Sequence, residues 1–411
     1  MTINLCSECI EDIYLKATVE KEGENEECDV CLQERPKTIT IDRLGEILEP
    51  VLREHIVLGD DVKRFASAED DDGYWEQEGD DLDYFVQEAL GQYFDFNDEI
   101  VNAVVRAEHY WPPDGDERFF DTSCNYVESR VSDHPFQISW KDLKDELRSQ
   151  RRYFNSAAKD FFDELFNDVD ALRSHAAKAD RGVVQVLPAG SKFYRSRVCD
   201  SQELLEKIFK DPYLHVGPPP SDKTKAGRMN AEGIPMFYGS LEWETSFAEL
   251  RPAIGVEVVT ITVETTAALR MLDFTRMTRA YKFLSYFQPD FTEQAARFAF
   301  LRRLGTLISR PVVPGHESEY LITQTMMEYL AHEHMQPFDG VLFASAQRNA
   351  GTNLVLFAKM NDGKPTFPVN YQEKSIAVHE TVHIEYEHVE RRYCQTEDGV
   401  EPDWIFWEDP D

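Results

Sequence analysis

The sequence is short of positive charge. Against 77 Asp and Glu it sets only 43 Lys and Arg, so the 411 residues carry a formal net charge of −34. A surface of that sign repels a phosphate backbone, which excludes nucleic acid as the main partner. Also lacking is any apolar run near the roughly 18 residues of a membrane span, so no membrane partner is expected. The first residues, Met1 to Cys9, hold acidic Glu8 and two cysteines where an export signal would be basic and then apolar. The expected location is therefore cytoplasmic. What is present is foldable material: hydrophobic residues make up 42 % and aromatics 12 % of the chain, too much for a solvated acidic tail. At roughly 100–200 residues per domain, the length predicts two or three domains.

The acidity is unevenly spread. Residues 1–180 hold 45 acidic and 19 basic side chains, residues 181–365 hold 20 and 21, and residues 366–411 hold 12 and 3. One electrically neutral segment thus sits between acidic flanks, and a shift of this kind marks a candidate boundary, placed near Arg181-Gly182. The texture changes there too. Before it, Glu46 to Ile56 and Asp83 to Tyr93 read as amphipathic helices, and Ser139 reads as an N-cap for an apolar series running from Leu143 to Phe162. After it come β-rich runs (Val183–Leu187, Val256–Val263, Val341–Phe343, Leu354–Phe357), separated by helical patches at Trp243–Leu250, Thr292–Leu304 and Thr325–His332. The expected class is α+β. The expected division is a four-cysteine module over 1–40, a helical domain over 41–180, a catalytic domain over 181–365 and an acidic C-terminal β extension over 366–411.

Four of the seven cysteines form Cys6-x-x-Cys9 and Cys28-x-x-Cys31, with 18 residues between the pairs. That spacing fits a four-thiolate zinc site, in which each pair turns its backbone so that both sulfurs reach one tetrahedral ion. With four thiolates no water position is left, so such a zinc would be structural. The competing readings are two reduced pairs or two disulfides. The intervening Lys21 to Glu27 reads as a solvated loop. Cys124, Cys199 and Cys394 lack such partners and read as small buried residues.

His379-Glu380-Thr381-Val382-His383 matches the H-E-x-x-H pattern, which binds zinc only on a helix. Here Ile376, Val378, Val382, Ile384 and Tyr386 alternate with period two, which predicts a strand. Residues four apart on a strand lie roughly 13 Å apart, too far for both imidazoles to hold one ion. The metalloprotease reading is rejected on that ground. His332-Glu333-His334 reads as a solvated helix end. RNA cleavage is a weaker contender, because Arg310 and His316 flank a Pro-Val-Val-Pro-Gly turn and no helix presents them together.

Residues 193–251 are the most informative. Phe193-Tyr194-Arg195-Ser196-Arg197 is followed by Gly217-Pro218-Pro219-Pro220, Gly227-Arg228-Met229-Asn230, Met236-Phe237-Tyr238-Gly239 and Glu244 to Arg251, with Asp339 to Ser345 and Asn353 to Phe357 far downstream. In order and wording this resembles the RES domain, a family named for an Arg, a Glu and a Ser, over residues 185–360. The N-terminal half is similar to the cysteine-bearing domain that accompanies some RES domains. The resemblance implies an ADP-ribosyltransferase-like fold with a mixed α/β sheet and NAD+ as substrate, in toxins that degrade NAD+ or ADP-ribosylate a protein. It maps the family's arginines onto Arg195 and Arg228, its tyrosine onto Tyr238, its glutamate onto Glu249 and its serine onto Ser345. On that mapping Arg195, Glu249 and Ser345 are the catalytic candidates, and Arg195, Arg228, Tyr238 and Ser345 hold NAD+.

The residue types suit that chemistry independently. Forked guanidiniums match phosphate oxygens, and an aromatic face stacks on a base or on nicotinamide. Breaking the nicotinamide–ribose bond builds positive charge on the ribose, which a carboxylate such as Glu249 stabilises. Ser345 is read as a hydrogen-bonding group and not as a nucleophile, since no histidine-based triad is legible. Singly, each residue is ordinary surface or turn chemistry; the register of all five carries the reading. The expected function is an NAD+ glycohydrolase or phosphorylase of a toxin–antitoxin type, with an antitoxin or other regulatory protein as partner. The alternatives are an ADP-ribosyltransferase acting on a protein, and a zinc-dependent interaction protein whose central domain senses NAD+ without turnover.

Overall fold

The computed structural model describes residues 2–64, 73–109, 118–175, 181–309 and 320–384, with the backbone of 393–396 and 399–402. The chain passes twice through each of two compact units, Met1–Val183 with Arg276–Leu307 and Val184–Thr275 with Ile308–Asp411. No helix among the described residues is long and apolar enough to cross a membrane. Arg310 and His316 lie outside the described residues, as does the side chain of Cys394.

In the first unit, strands β1 (Asn4–Cys6), β2 (Glu24–Cys28) and β3 (Gln33–Thr40) form an antiparallel sheet in the order β1-β3-β2. The segment between the cysteine pairs is more ordered than a solvated loop. Asp12 accepts hydrogen bonds from the Tyr14 and Leu15 amides and starts helix α1 (Ile13–Glu22), after which the exposed Glu24 to Glu27 form most of β2. Leu15 and Val19 of α1 are fully buried, so burial of one face supplies what the polar sequence conceals. Thr40 caps helix α2 (Ile41–His55), and Asp81 caps α3 (Leu82–Leu90), which ends on Gly91 at φ +72°. Helix α4 (Asn97–Ala107) crosses α2 at Gly45, where a Cβ would fall 2.5 Å from the Ala103 carbonyl carbon. Leu44, Leu48, Leu52, Val86, Leu90, Ile100 and Val104 fill the core between these helices.

Helix α5 spans His134–Ser149. Ser139 is therefore not an N-cap; it lies inside the helix, its hydroxyl donating back to the Pro135 carbonyl at 3.1 Å. The helix starts earlier because Pro135 fits its first turn. Nor do Leu143 to Phe162 form one helix: Tyr153 and Phe154 stand exposed between α5 and α6 (Ser156–Leu165), with Phe154 at φ +53°. Phe136, Trp140 and Phe161 meet Phe300 of the helix Phe291–Ser309 at ring separations of 5.8 to 6.4 Å, so this late stretch completes the first unit's aromatic core.

The second unit is built on a mixed sheet, nine-stranded among the described residues. Its strands are β4 (Val184–Leu187), β5 (Lys192–Cys199), β6 (Met236–Ser240), β7 (Glu257–Thr265), β8 (Leu269–Asp273), β9 (Gly340–Ala344), β10 (Thr352–Phe357), β11 (Val369–Tyr371) and β12 (Ala377–Glu380). The order is β4-β8-β9-β10-β6-β5-β7-β11, with β12 also paired to β7. All pairings are antiparallel except β8 with β9. Val259, Ile261 and Val263 of β7, Leu342 of β9, and Leu354 and Leu356 of β10 make the core, as β-branched and leucine-rich strands do when covered. Strands β5 and β6 pair at Tyr194↔Ser240 alone, whereas β5 pairs with β7 over eight positions. The sheet thus parts along one line in its middle, and short elements gather there.

Candidate active site

A cavity of about 370 Å3 opens where β5 and β6 separate. Arg195 on β5, Arg228 on the 227–230 turn, Tyr238 on β6 and Glu249 at the end of helix α7 (Trp243–Ala248) all line it. Four residues scattered over 55 positions of sequence are therefore neighbours because β6 runs directly into α7 and the 227–230 turn folds back on β6. Ser345 does not line the cavity; it reaches the site by donating to Glu249 Oε1 at 2.6 Å.

Arg195 holds the split open in a fixed form. Its Nε donates to the Val216 carbonyl at 2.6 Å and its Nη1 to the Tyr238 carbonyl at 2.5 Å, with the guanidinium 5.4 Å from the Phe237 ring centroid. Its other N–H groups have no partner among the described residues. Burial lowers its pKa to about 10, so it remains a cation at neutral pH. Arg228 donates to the Ile308 carbonyl at 2.7 Å, and burial lowers its pKa also. The Tyr238 hydroxyl donates to Asn230 Oδ1 at 2.7 Å and accepts from the Met229 amide at 3.2 Å; burial raises its pKa to about 12. These bonds lash the tyrosine to the turn that carries Arg228. Gly227 is required there, since a Cβ would lie 2.7 Å from Asn230 Oδ1 and 3.0 Å from the tyrosine oxygen.

Glu249 is exposed to the cavity, and its Oε1 takes two short bonds, from Ser345 Oγ and from Asn353 Nδ2, both at 2.6 Å. Asn353 is oriented in turn by Ser240, whose hydroxyl donates to Oδ1 at 2.8 Å. Ser345 Oγ accepts from the Gln347 and Arg348 amides at 3.1 and 3.2 Å. Oε2 has no hydrogen-bond partner among the described residues, so one oxygen is anchored while the other is available to a ligand. A fixed carboxylate beside two half-buried guanidiniums can hold a phosphate-bearing molecule while stabilising positive charge that develops next to the carboxylate.

The RES domain family model matches residues 194–378, the span from β5 to β12. The chain carries a RES domain. No curated protein and no solved structure is significantly similar to the chain. At the level of the family, the RES domain is an NAD-processing, toxin-like module. The match runs through residues 276–307, although the structure packs that stretch with the first unit.

Among the lining residues of the RES cavity, Asn353 and Arg251 carried no assignment from sequence, nor did Asn230, which holds the Tyr238 hydroxyl from outside that lining. Asn353 is the second residue of β10, after Thr352, and Asn230 sits in a turn, where Asn is common for local reasons. Arg251 also lines the cavity and adopts φ +46°, a conformation that a non-glycine residue rarely takes. An amide side chain directly before the apolar run Leu354 to Phe357 was the one legible signal for Asn353.

Outside the RES domain, Cys6, Cys9, Cys28 and Cys31 gather with all four sulfurs within 4.8 Å of one another. Cys6 and Cys31 sulfurs are 3.9 Å apart, and those of Cys9 and Cys28 4.0 Å. A tetrahedron with metal–sulfur bonds of about 2.3 Å has edges of about 3.8 Å, so the donor set and its spacing fit one metal ion. The separations exclude disulfides between these pairs. Burial raises the Cys9 thiol pKa, whereas for Cys31 burial is outweighed by hydrogen bonds from Arg35 and its fellow cysteines, which bring it down to about 7.

Strand β12 takes in His379 and Glu380 of the H-E-x-x-H segment, Thr381 to His383 follow it without regular structure, and no part of the segment is helical. His379 stacks on Trp243 at a ring separation of 4.4 Å and an interplanar angle of 6°. His334 is buried against Tyr329 and Phe338, with Nδ1 2.9 Å from the Gln336 carbonyl, so it is not the solvated helix end its neighbours suggest.

Proposed function

We propose that the RES domain cleaves the nicotinamide–ribose bond of NAD+, as a glycohydrolase or phosphorylase. The observation that carries this is the Glu249 carboxylate, anchored by Ser345 and Asn353 on one oxygen and free on the other, in a cavity shared with Arg195 and Arg228. As the glycosidic bond breaks, the ribose becomes a cation and the nicotinamide leaves neutral. A carboxylate fixed beforehand stabilises that cation without having to reorganise. Arg195 and Arg228 balance the pyrophosphate, and Tyr238 offers the ring face on which a base or nicotinamide stacks. Ser345 acts here through Glu249, since its hydrogen is already committed to that carboxylate.

The cysteine cluster is proposed to hold a structural zinc ion. Four thiolates complete the coordination, so the ion's contribution is to tie β1, α1, β2 and β3 together and not to activate water. An antitoxin or other regulatory protein is the partner proposed for a module of this kind, acting in the cytoplasm. Incubating the full-length protein with NAD+ and following free nicotinamide tests the reading; no release by a protein with its metal in place would end it.

A further inference from the structure

The RES cavity has a neighbour. A second cavity, of about 300 Å3, lies behind Arg195 and Tyr238, which line both. Its other walls come from the 219–230 loop, including Lys223 and Lys225, and from Met236 of β6, and no carboxylate is among them. In a chain with 77 acidic residues, a cavity with three cations and no acid is a marked exception. Neither lysine has an acidic partner among the described residues.

The loop that bears the lysines is braced before any ligand arrives. Thr224 is buried and donates to the Pro219 and Pro220 carbonyls, Asn230 Nδ2 donates to the Lys225 carbonyl at 3.0 Å, and the Gly233 amide donates to the Thr224 carbonyl at 3.1 Å. Gln324 ties the loop's far end by donating to the Gly227 and Asn230 carbonyls. Arg195, with two N–H groups spent on backbone carbonyls, keeps the rest for the cavities. The two cavities therefore differ in charge: one contains Glu249, the other only cations. NAD+ has the matching asymmetry, with a cationic nicotinamide at one end and phosphates towards the other.

Resting on the assignment of NAD+ to this domain, we propose that the Lys223–Lys225 cavity is a phosphate subsite. It takes the adenosine diphosphate half of the dinucleotide and so orients the nicotinamide end towards Glu249. The phosphates lie across Arg195, the cation common to both cavities. Two partly exposed charge pairs together account for about a tenfold change in affinity.

Titration calorimetry of the full-length protein with ADP, and separately with inorganic phosphate, tests this against the variant Lys223→Ala/Lys225→Ala. Both lysines are exposed, and an unchanged melting temperature certifies the fold of the variant. ADP is expected to bind the wild type and to weaken about tenfold in the variant, with the KM for NAD+ rising alike and kcat within about twofold. Equal ADP affinity in both proteins overturns the subsite, and does so even when nicotinamide is released normally. Inorganic phosphate binding as tightly as ADP overturns the nucleotide assignment in favour of a free-phosphate site. Lysine-dependent ADP binding without any nicotinamide release upholds the subsite and sinks the cleavage reading instead.

Discussion

Removing the donors behind Glu249 separates positioning from direct participation. Ser345→Ala and Asn353→Ala each delete one 2.6 Å hydrogen bond to Oε1. A hydrogen bond to a charged group contributes about 1.5–3 kcal/mol, and because Glu249 is exposed, water restores part of it, leaving about 1–2 kcal/mol per donor. Lost in the transition state, that is about a 5- to 30-fold fall in kcat with KM nearly unchanged. In each single variant the other donor still holds the same oxygen. The double variant, with the carboxylate released, should therefore fall by more than the product of the two, a coupling of about 0.5–3 kcal/mol. Ser345→Ala also strips the Gln347 and Arg348 amides of their acceptor, so its melting temperature is followed alongside nicotinamide release. Ser345→Thr, which keeps a hydroxyl, should restore most of kcat. A tenfold rise in KM at constant kcat would show that Ser345 touches substrate, and a loss of about 10⁴ in kcat from Ser345→Ala alone would show direct chemistry; either refutes the positioning role.

Gly227→Ala forces a Cβ to within 2.7 Å of Asn230 Oδ1, so it should cost about 1–3 kcal/mol, lower the melting temperature by several degrees and raise KM for NAD+. Elemental analysis should find about one zinc per chain in the wild type and none in Cys28→Ser, since three thiolates leave the tetrahedron incomplete; equal metal in both proteins would remove the site. Burial raises the folded pKa of Tyr238 from 10.0 to about 12. Its neutral form is thus favoured in the fold, and the associated stability is whole below pH 10 and lost as pH rises towards 12. Tyr238→Phe should lack that part of the alkaline loss, as read from melting temperatures of both proteins between pH 9 and 12.

Legibility differed between the two units for physical reasons. In the second, β-branched runs announced β7, β9 and β10 nearly to their ends, because strands covered on both faces must be apolar throughout. The order of motifs along the chain singled out Arg195, Arg228, Tyr238 and Glu249 as candidates, which share one cavity, yet nothing local foretold that β5 and β6 part after Tyr194↔Ser240 and so make it. In the first unit, α1 was missed because Lys, Glu and Thr outnumber its two buried residues, and the placement of Ser139 failed because a proline four residues earlier was a better start. The return of Arg276–Leu307 to the first unit is a tertiary fact: the aromatic partners of Phe300 lie more than 130 residues upstream. Helical period alone cannot name them.

The assignment of NAD+ cleavage stands or falls with one carboxylate. Glu249→Gln keeps the shape and the acceptor for Ser345 while removing the charge, and it should leave the melting temperature unchanged. Measured as free nicotinamide released from NAD+, the wild type is expected to turn over and Glu249→Gln to fall by about 10²–10³ or more. Equal release by the two proteins, or none by the wild type with its metal bound, would contradict the assignment.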